Sequence, residues 1–195
     1  MSKGLLIGLG IAALVIFWGI SVRNGLATGD QGVQASWANV ETAYQRRADL
    51  IPNLVKTVQG VANFEKGTLT DVIAARASAT QIKLDSKDLS PENIQKYQAA
   101  QSQLSGSLSR LMAVAENYPQ LKATENFSEL QSQLEGTENR IKEERDRFNG
   151  VVKDYNSKIV TFPNSLIASF SGFMTKGYFQ ADAGASKAPS VDFPK

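Results

Sequence analysis

Apolar residues follow several distinct patterns along this chain, and each predicts a different element. Gly4–Val22 (GLLIGLGIAALVIFWGISV) runs for nineteen residues without a charge. As a helix it spans about 28 Å, close to the ~30 Å thickness of a bilayer's hydrocarbon core. Trp18 suits the interface, and Lys3 and Arg23 mark the two head-group boundaries. Residues 1–23 therefore read as an uncleaved membrane anchor. A cleaved signal peptide ending at Gly25-Leu26-Ala27 fits less well, because the apolar run is too long and Arg23 precedes the cleavage site. Gly4-x-x-x-Gly8, with Gly10 nearby, has the spacing that lets two such helices pack closely, although glycine is common in membrane helices anyway. Residues 24–32 (NGLATGDQG) read as a flexible linker.

Beyond it the spacing turns to threes and fours. Val33, Trp37, Val40, Tyr44, Ala48, Ile51, Leu54/Val55, Val58, Val61, Leu69 and Val72/Ile73 make one face of a helix starting near Gln31–Val33. The phase holds across Pro52, which predicts a kink in a continuing helix. Gly60 and Gly67 weaken the stretch, with a bend allowed near Glu65–Thr68 before it fades at Lys83. Ser90-Pro91-Glu92 starts a second helix: a Ser N-cap, Pro at the first position and an acid in the first turn. It buries Ile94, Tyr97, Ala100/Gln101, Leu104, Leu108, Leu111/Met112 and Ala115, and small residues Ser102, Ser105, Gly106, Ser107 and Ser109 at mid-helix would let a neighbouring helix approach closely. Pro119 ends it.

A third helix begins near Thr124–Phe127, with Asn126-x-x-Glu129 as a capping box, and runs to Val160. Phe127, Leu134, Ile141, Phe148, Tyr155 and Phe162 recur every seven residues, with Leu130, Thr137, Glu144 and Val151 as the other seam. Such a repeat keeps one stripe on a partner helix. Its outer face, with Glu135, Glu138, Lys142, Glu143, Arg145 and Arg147, reads as solvated. After Phe162-Pro163, Ser165–Met174 forms a short apolar helix, and residues 182–195 a disordered Ala/Ser/Pro tail. The expected fold is all-α: an N-terminal transmembrane helix, then an elongated antiparallel bundle of three long helices plus a short C-terminal helix over residues 33–181.

Charge and composition narrow the function. The net charge is +2, and Lys3 and Arg23 account for the excess. A balanced domain has no general attraction for phosphate backbones, so nucleic acid is not an expected partner. With no Cys and no His, Ser-His-Asp and Cys-His catalysis are excluded, and the commonest metal ligand is absent. A carboxylate-bridged metal pair needs Glu and Glu-x-x-His on facing helices, and only Glu144 lies at an inward seam position. No catalytic residue, metal or cofactor is expected.

What remains is polar clustering. Arg46, Arg47, Asp49 and Asn53 surround Pro52; Asn149 and Asn156 share a face of the third helix; Asn139 and Arg140 lie one to two turns before. Either this is a patch that binds a ligand or peptide, or buried polar groups satisfy carbonyls freed at Pro52 and fix helix register. Glu116, Asn117, Tyr118, Pro119 and Lys122 pose the same choice at the helical corner. Phe170, Phe173, Tyr178 and Phe179 can cap the bundle, touch the bilayer or dock on another subunit.

Several segments together resemble the LemA family of bacterial membrane proteins: Gln45–Val55 (QRRADLIPNLV), Glu116–Ala123 (ENYPQLKA), Thr137–Ile141 (TENRI), Asp154-Tyr155-Asn156 and Phe162-Pro163. The match covers Trp37 to Phe179. It departs at Phe148-Asn149, where the family more often has Tyr-Asn, which removes a hydroxyl. The resemblance implies one membrane helix, a cytoplasmic helical bundle and a short N-terminus outside, in the cell membrane. It implies little mechanism. Charge does not decide orientation, since Lys3 and the amino terminus face Arg23 alone. The expectation is a non-enzymatic scaffold that meets the bilayer, other proteins and copies of itself as a homo-oligomer. An accessory subunit of a membrane enzyme and a bilayer-shaping protein are the alternatives.

Overall fold

The computed structural model describes residues 2–61 and 64–181, so the tail expected at 182–195 lies outside the described residues. Six helices follow in order: α1 (Lys3–Gln59), α2 (Lys66–Gln81), α3 (Pro91–Ala115), α4 (Pro119–Lys122), α5 (Glu125–Val160) and α6 (Asn164–Ser171). No strand occurs among the described residues, and the protein is all-α.

α1 is one helix of 57 residues. The linker expected at 24–32 is helical, and the helix arrives at Gln31–Val33 from the anchor rather than starting there. Each glycine costs a helix about 1 kcal/mol relative to alanine, which is why Gly25, Gly29 and Gly32 argue locally for a linker. Tertiary packing outweighs that cost. Leu26 is fully buried, and burying a leucine is worth about 1.5–3 kcal/mol. The glycines also admit α5. A Cβ at Gly29 would lie 3.1 Å from the Tyr155 ring, and one at Gly32 3.9 Å from Val151. Asp30 accepts from Gln34 Nε2 at 2.7 Å and pairs with Lys176 Nζ at 3.0 Å.

Pro52 lies inside α1, and the helix continues past it. Pro52 has no N–H for the carbonyl of Ala48, one turn back. Arg76 on α2 takes its place, donating Nε to that carbonyl at 2.8 Å. The helix then stops at Gly60, so the single helix expected to reach Lys83 is two, folded back on each other. Phe64 leads the chain around this corner and is buried against Tyr118, with ring centroids 5.0 Å apart. Ile73, expected on the apolar face, is exposed. α2 runs antiparallel to α1 through Arg76 and Ala48, and antiparallel to α3 through Arg110 and Asp71, paired at 3.5 Å. The bundle thus gains a shorter fourth helix.

Ser90 caps α3 as expected, its Oγ accepting from Asn93 N–H at 3.4 Å. α5 returns along α1, with Tyr155 at Gly29 and Glu138 at Arg47. Phe127, Leu134, Ile141, Phe148 and Tyr155 are all buried; in the other seam Thr137 and Glu144 are buried and Leu130 and Val151 half-buried, with Val152 and Ile159 buried beside them. Phe162 is the exception at 76% exposed, because Thr161 is extended and the seam ends with the helix. The N-cap is Thr124, not Asn126, and its hydroxyl donates back to Leu121 O at 2.7 Å. Two apolar clusters result. One centres on Trp37, Tyr97, Phe148 and Phe179 near the anchor. The other, on Ile51, Phe64, Leu111 and Phe127, fills the far end.

Arg76→Met should destabilise the chain by about 1–2 kcal/mol, the cost of an unmet buried carbonyl. In a Pro52→Ala background, where the backbone N–H returns, the same change should cost about 1 kcal/mol less. Urea unfolding in mild detergent measures both; additivity would show that Arg76 does not serve the proline.

Candidate functional site

The polar residues singled out in the sequence fall at three separate places. The first is a layer between the two apolar clusters. Arg47, only 1% exposed, projects from α1 between α3 and α5. Its Nη1 donates to Glu138 at 2.9 Å and to Ser105 Oγ; its Nη2 donates to the Gln101 side chain at 2.7 Å and the Gln101 carbonyl at 3.2 Å. The guanidinium also lies 5.2 Å from the Tyr44 ring centroid. Gln101 Nε2 reaches on to Ala79 O on α2 at 3.4 Å, so two side chains, Arg47 and Gln101, tie four helices to one register. Glu138 was expected on a solvated face. At 53% exposed it keeps that character while neutralising a buried charge. Glu144, 1% exposed, is paired from its own helix by Arg140 at 2.6 Å and Arg147 at 3.8 Å.

Above Arg47 the small residues of α3 do not admit a helix. They line an open groove of about 700 Å³ between α3 and α5, walled by Ser102, Ser105, Gly106 and Ser109 on one side and Glu138, Ile141 and Arg145 on the other. α3 packs on α2 instead. The Ser105 hydroxyl donates to Glu138 at 3.2 Å, so it is held between that carboxylate and Arg47. Asp49 and Asn53 are exposed and do not join this layer: Asp49 accepts from Gln45 at 2.8 Å, and Asn53 lines a shallow groove with Asn126 and Gln133. Asn139 is exposed, and Arg140 pairs with Glu143 and Glu144.

At the second place, Asn149 and Asn156 hold the chain's own C-terminal segment. Asn156 Nδ2 donates to Lys176 O at 2.9 Å, and Lys176 N–H donates to Asn156 Oδ1 at 2.8 Å. One heptad back, Asn149 makes the same two-way bond with Phe179 at 2.9 Å each way. Gln98 on α3 repeats it with Gln180, again at 2.9 Å. Three side-chain amides thus act as the neighbouring strand that this extended segment lacks, satisfying backbone groups that would otherwise be stranded against protein. Lys176 Nζ adds Asp30 at 3.0 Å and Lys87 O at 3.0 Å. Gly177 crosses the start of α3 so closely that a Cβ would meet Pro91 Cα at 2.7 Å. Phe179 enters the core, stacked 6.1 Å from Trp37 and edge-on to Phe148 at 5.5 Å, with Arg145 over its outer face at 5.1 Å. Phe179 is therefore buried and not an outward contact, and Phe173 packs partly on the same cluster. Phe148 is wholly buried among these rings. Burial first, then Tyr44 and Glu41, pushes the Tyr97 phenol above its ordinary range; burial, then Asp30, does the same at Tyr155. Both stay neutral at physiological pH.

The third place is the corner. Glu116, Asn117, Pro119 and Lys122 are exposed; Tyr118 packs on Phe64, and Leu121 is buried beneath α4. Among the described residues no three His, Cys, Asp or Glu gather to hold a metal. The sequence reading missed Arg76, Gln98, Lys176 and Gly177, and it placed Gln101 on a buried face without a role. Gln98 carries no local signal. The heptad spacing of Asn149 and Asn156 and the lone glycine before an aromatic pair at 177 were the available clues.

Asn156→Ala should raise hydrogen exchange at the Lys176 amide many-fold and leave the Leu134–Phe148 seam protected. Asn156→Asp, which keeps the acceptor for that N–H and loses only the donor to the Lys176 carbonyl, should restore part of the protection. Protection unchanged at Lys176 would show that the amide does not hold the segment.

The sequence profile of the LemA family matches residues 36–193. Magnetosome protein MamQ 2 of Paramagnetospirillum magneticum is 26% identical over 174 aligned positions, 80% of this chain and 64% of that protein. Magnetosome protein MamQ of Magnetospirillum gryphiswaldense is 25% identical over 201, covering 92% and 74%. Protein LemA of Metamycoplasma hominis is 25% identical over 173, covering 88% and 75%. The match thus spans under two thirds of the first of these relatives. The N-terminal part of α1 is long and apolar enough to cross a bilayer, and its apolar window is unburied. With the profile matched over most of its length, the chain belongs to the LemA family.

Proposed function

We propose that this protein is a single-pass, membrane-anchored helical scaffold that acts by binding rather than catalysis and associates with copies of itself. The observation that carries the reading is α1. Its first half leaves Leu5, Ile7, Leu9, Ile11, Leu14, Phe17 and Ile20 exposed, and its second half is the spine of the bundle. Nothing hinges between them, so whatever orients the anchor orients the domain. The Arg47 layer supports the non-catalytic side of the reading. The carboxylate that accepts from Ser105 is Glu138, and it is already committed to Arg47.

Self-association rests on the anchor. Gly4 and Gly8 lie one turn apart on the same face, and a Cβ at either would meet nothing within 4 Å beyond the helix's own backbone. Such a stripe lets two helices approach closely in lipid. The mass of the chain in mild detergent should exceed the monomer and rise with concentration, and Gly8→Val should lower it. A monomer at every concentration would overturn self-association, and a turnover lost in a folded Glu138→Gln protein would overturn the scaffold reading.

A further inference from the structure

α6 sits where the anchor enters the bundle. Ile167 approaches α1 at Gly19, where a Cβ would lie 3.7 Å from its Cδ1, and Ala168 beside it is buried. Gly19 is four residues before Arg23, so α6 lies about 6 Å inside the boundary that Arg23 marks, at 1.5 Å per residue. The inward face of α6 is covered by α1 and α5; its outward face is not covered. Phe162, Leu166 and Phe170, four residues apart, are exposed, and Met174 follows. Phe170 is 91% exposed. Residues 159–175 carry no Asp, Glu, Lys or Arg. In water this would be a contiguous aromatic patch of the kind soluble proteins avoid. At this depth it has a different solvent.

We infer that α6 is a second membrane contact: its Phe162–Leu166–Phe170–Met174 face inserts into the boundary between head groups and acyl chains of the bilayer that α1 crosses. The depth fits, since interfacial helices bury their apolar face about 5–10 Å. The occupant follows from continuity, because the face adjoins the lipid-facing surface of α1 at Gly19. Phe162, once outside the seam, becomes part of this surface, and Phe170 keeps the outward role expected of it. Gly172 lets the chain leave at that level: its φ of 74° is the left-handed turn that ends α6 and sends Phe173 back toward the core. Two contacts, one spanning and one lying flat, fix the tilt of the bundle, which a single helix leaves free.

The inference rests on the anchor reading, so its test reports the two separately. The chain has no cysteine, so single-cysteine forms Phe170→Cys, Ile11→Cys and Asn139→Cys of the full chain can each carry a bimane. They are reconstituted in phosphatidylcholine vesicles containing lipids with a nitroxide at a shallow or deep position. Phe170→Cys should lose several-fold more fluorescence to the shallow nitroxide than exposed Asn139→Cys, at all protein-to-lipid ratios. Ile11→Cys should respond to the deep nitroxide, whatever α6 does. Quenching at Phe170→Cys no greater than at Asn139→Cys would overturn the inference. So would shielding from lipid that grows with protein density, which would assign the face to a second copy. Failure at Ile11→Cys would instead overturn the anchor.

Discussion

The close contact of Gly29 with Tyr155 decides what kind of molecule this is. A helix leaving a membrane can either dissolve into a tether or carry on into the domain. Here α5 approaches the glycine face of α1 to 3.1 Å from where a Cβ would stand. Leu26 is sealed beneath α5, and Asp30 is tied to Lys176. Burial of Leu26 and Val33 there, at about 1.5–3 kcal/mol each, offsets the roughly 3 kcal/mol that three glycines cost the helix. The anchor and the bundle are therefore one rod, and every later contact is referred to the membrane through it.

The Arg47 layer keeps that rod in register with its neighbours. A buried guanidinium is costly unless its donors are met, and both terminal nitrogens of Arg47 are met, from α3 and α5 at once. Apolar seams alone can slide by a heptad; a fork of donors with fixed partners cannot do so without stranding a charge. The same layer separates the cluster near the anchor from the far one and leaves the α3–α5 groove open, since the bridging side chains span a distance that small residues on α3 do not close. At the anchor end, the amide clamps do for the C-terminal segment what a neighbouring strand would do.

The helices were legible wherever burial follows a period. The seam from Phe127 to Tyr155, the Ser90 cap and the passage of α1 through Pro52 all follow from spacing. Residues 24–32 were misread because propensity is local and the compensating burial is not: Tyr155 lies more than a hundred residues away. The face was still written there, since Val22, Leu26, Gly29 and Val33 continue the spacing of Trp37 and Val40. The break at Gly60 was visible as weakness but not as a reversal, which depends on Phe64 finding Tyr118. Of the candidate polar residues, Arg47, Asn149 and Asn156 proved central and Asp49 and Asn53 peripheral, and sequence could not sort them. Amide and guanidinium side chains look alike until their partners are placed; those of Asn149 and Asn156 are backbone atoms, and those of Arg47 are mostly side chains on other helices.

Helical continuity from bilayer to core is the claim on which the rest turns, and a nitroxide scan tests it most directly. Spin labels placed singly from Val22 to Gln34 in liposome-reconstituted protein should show low mobility throughout, with accessibility to oxygen oscillating at about 3.6 residues per cycle. Uniformly high mobility with no period across 24–32 would contradict the account, because the anchor and the bundle would then be joined by a tether.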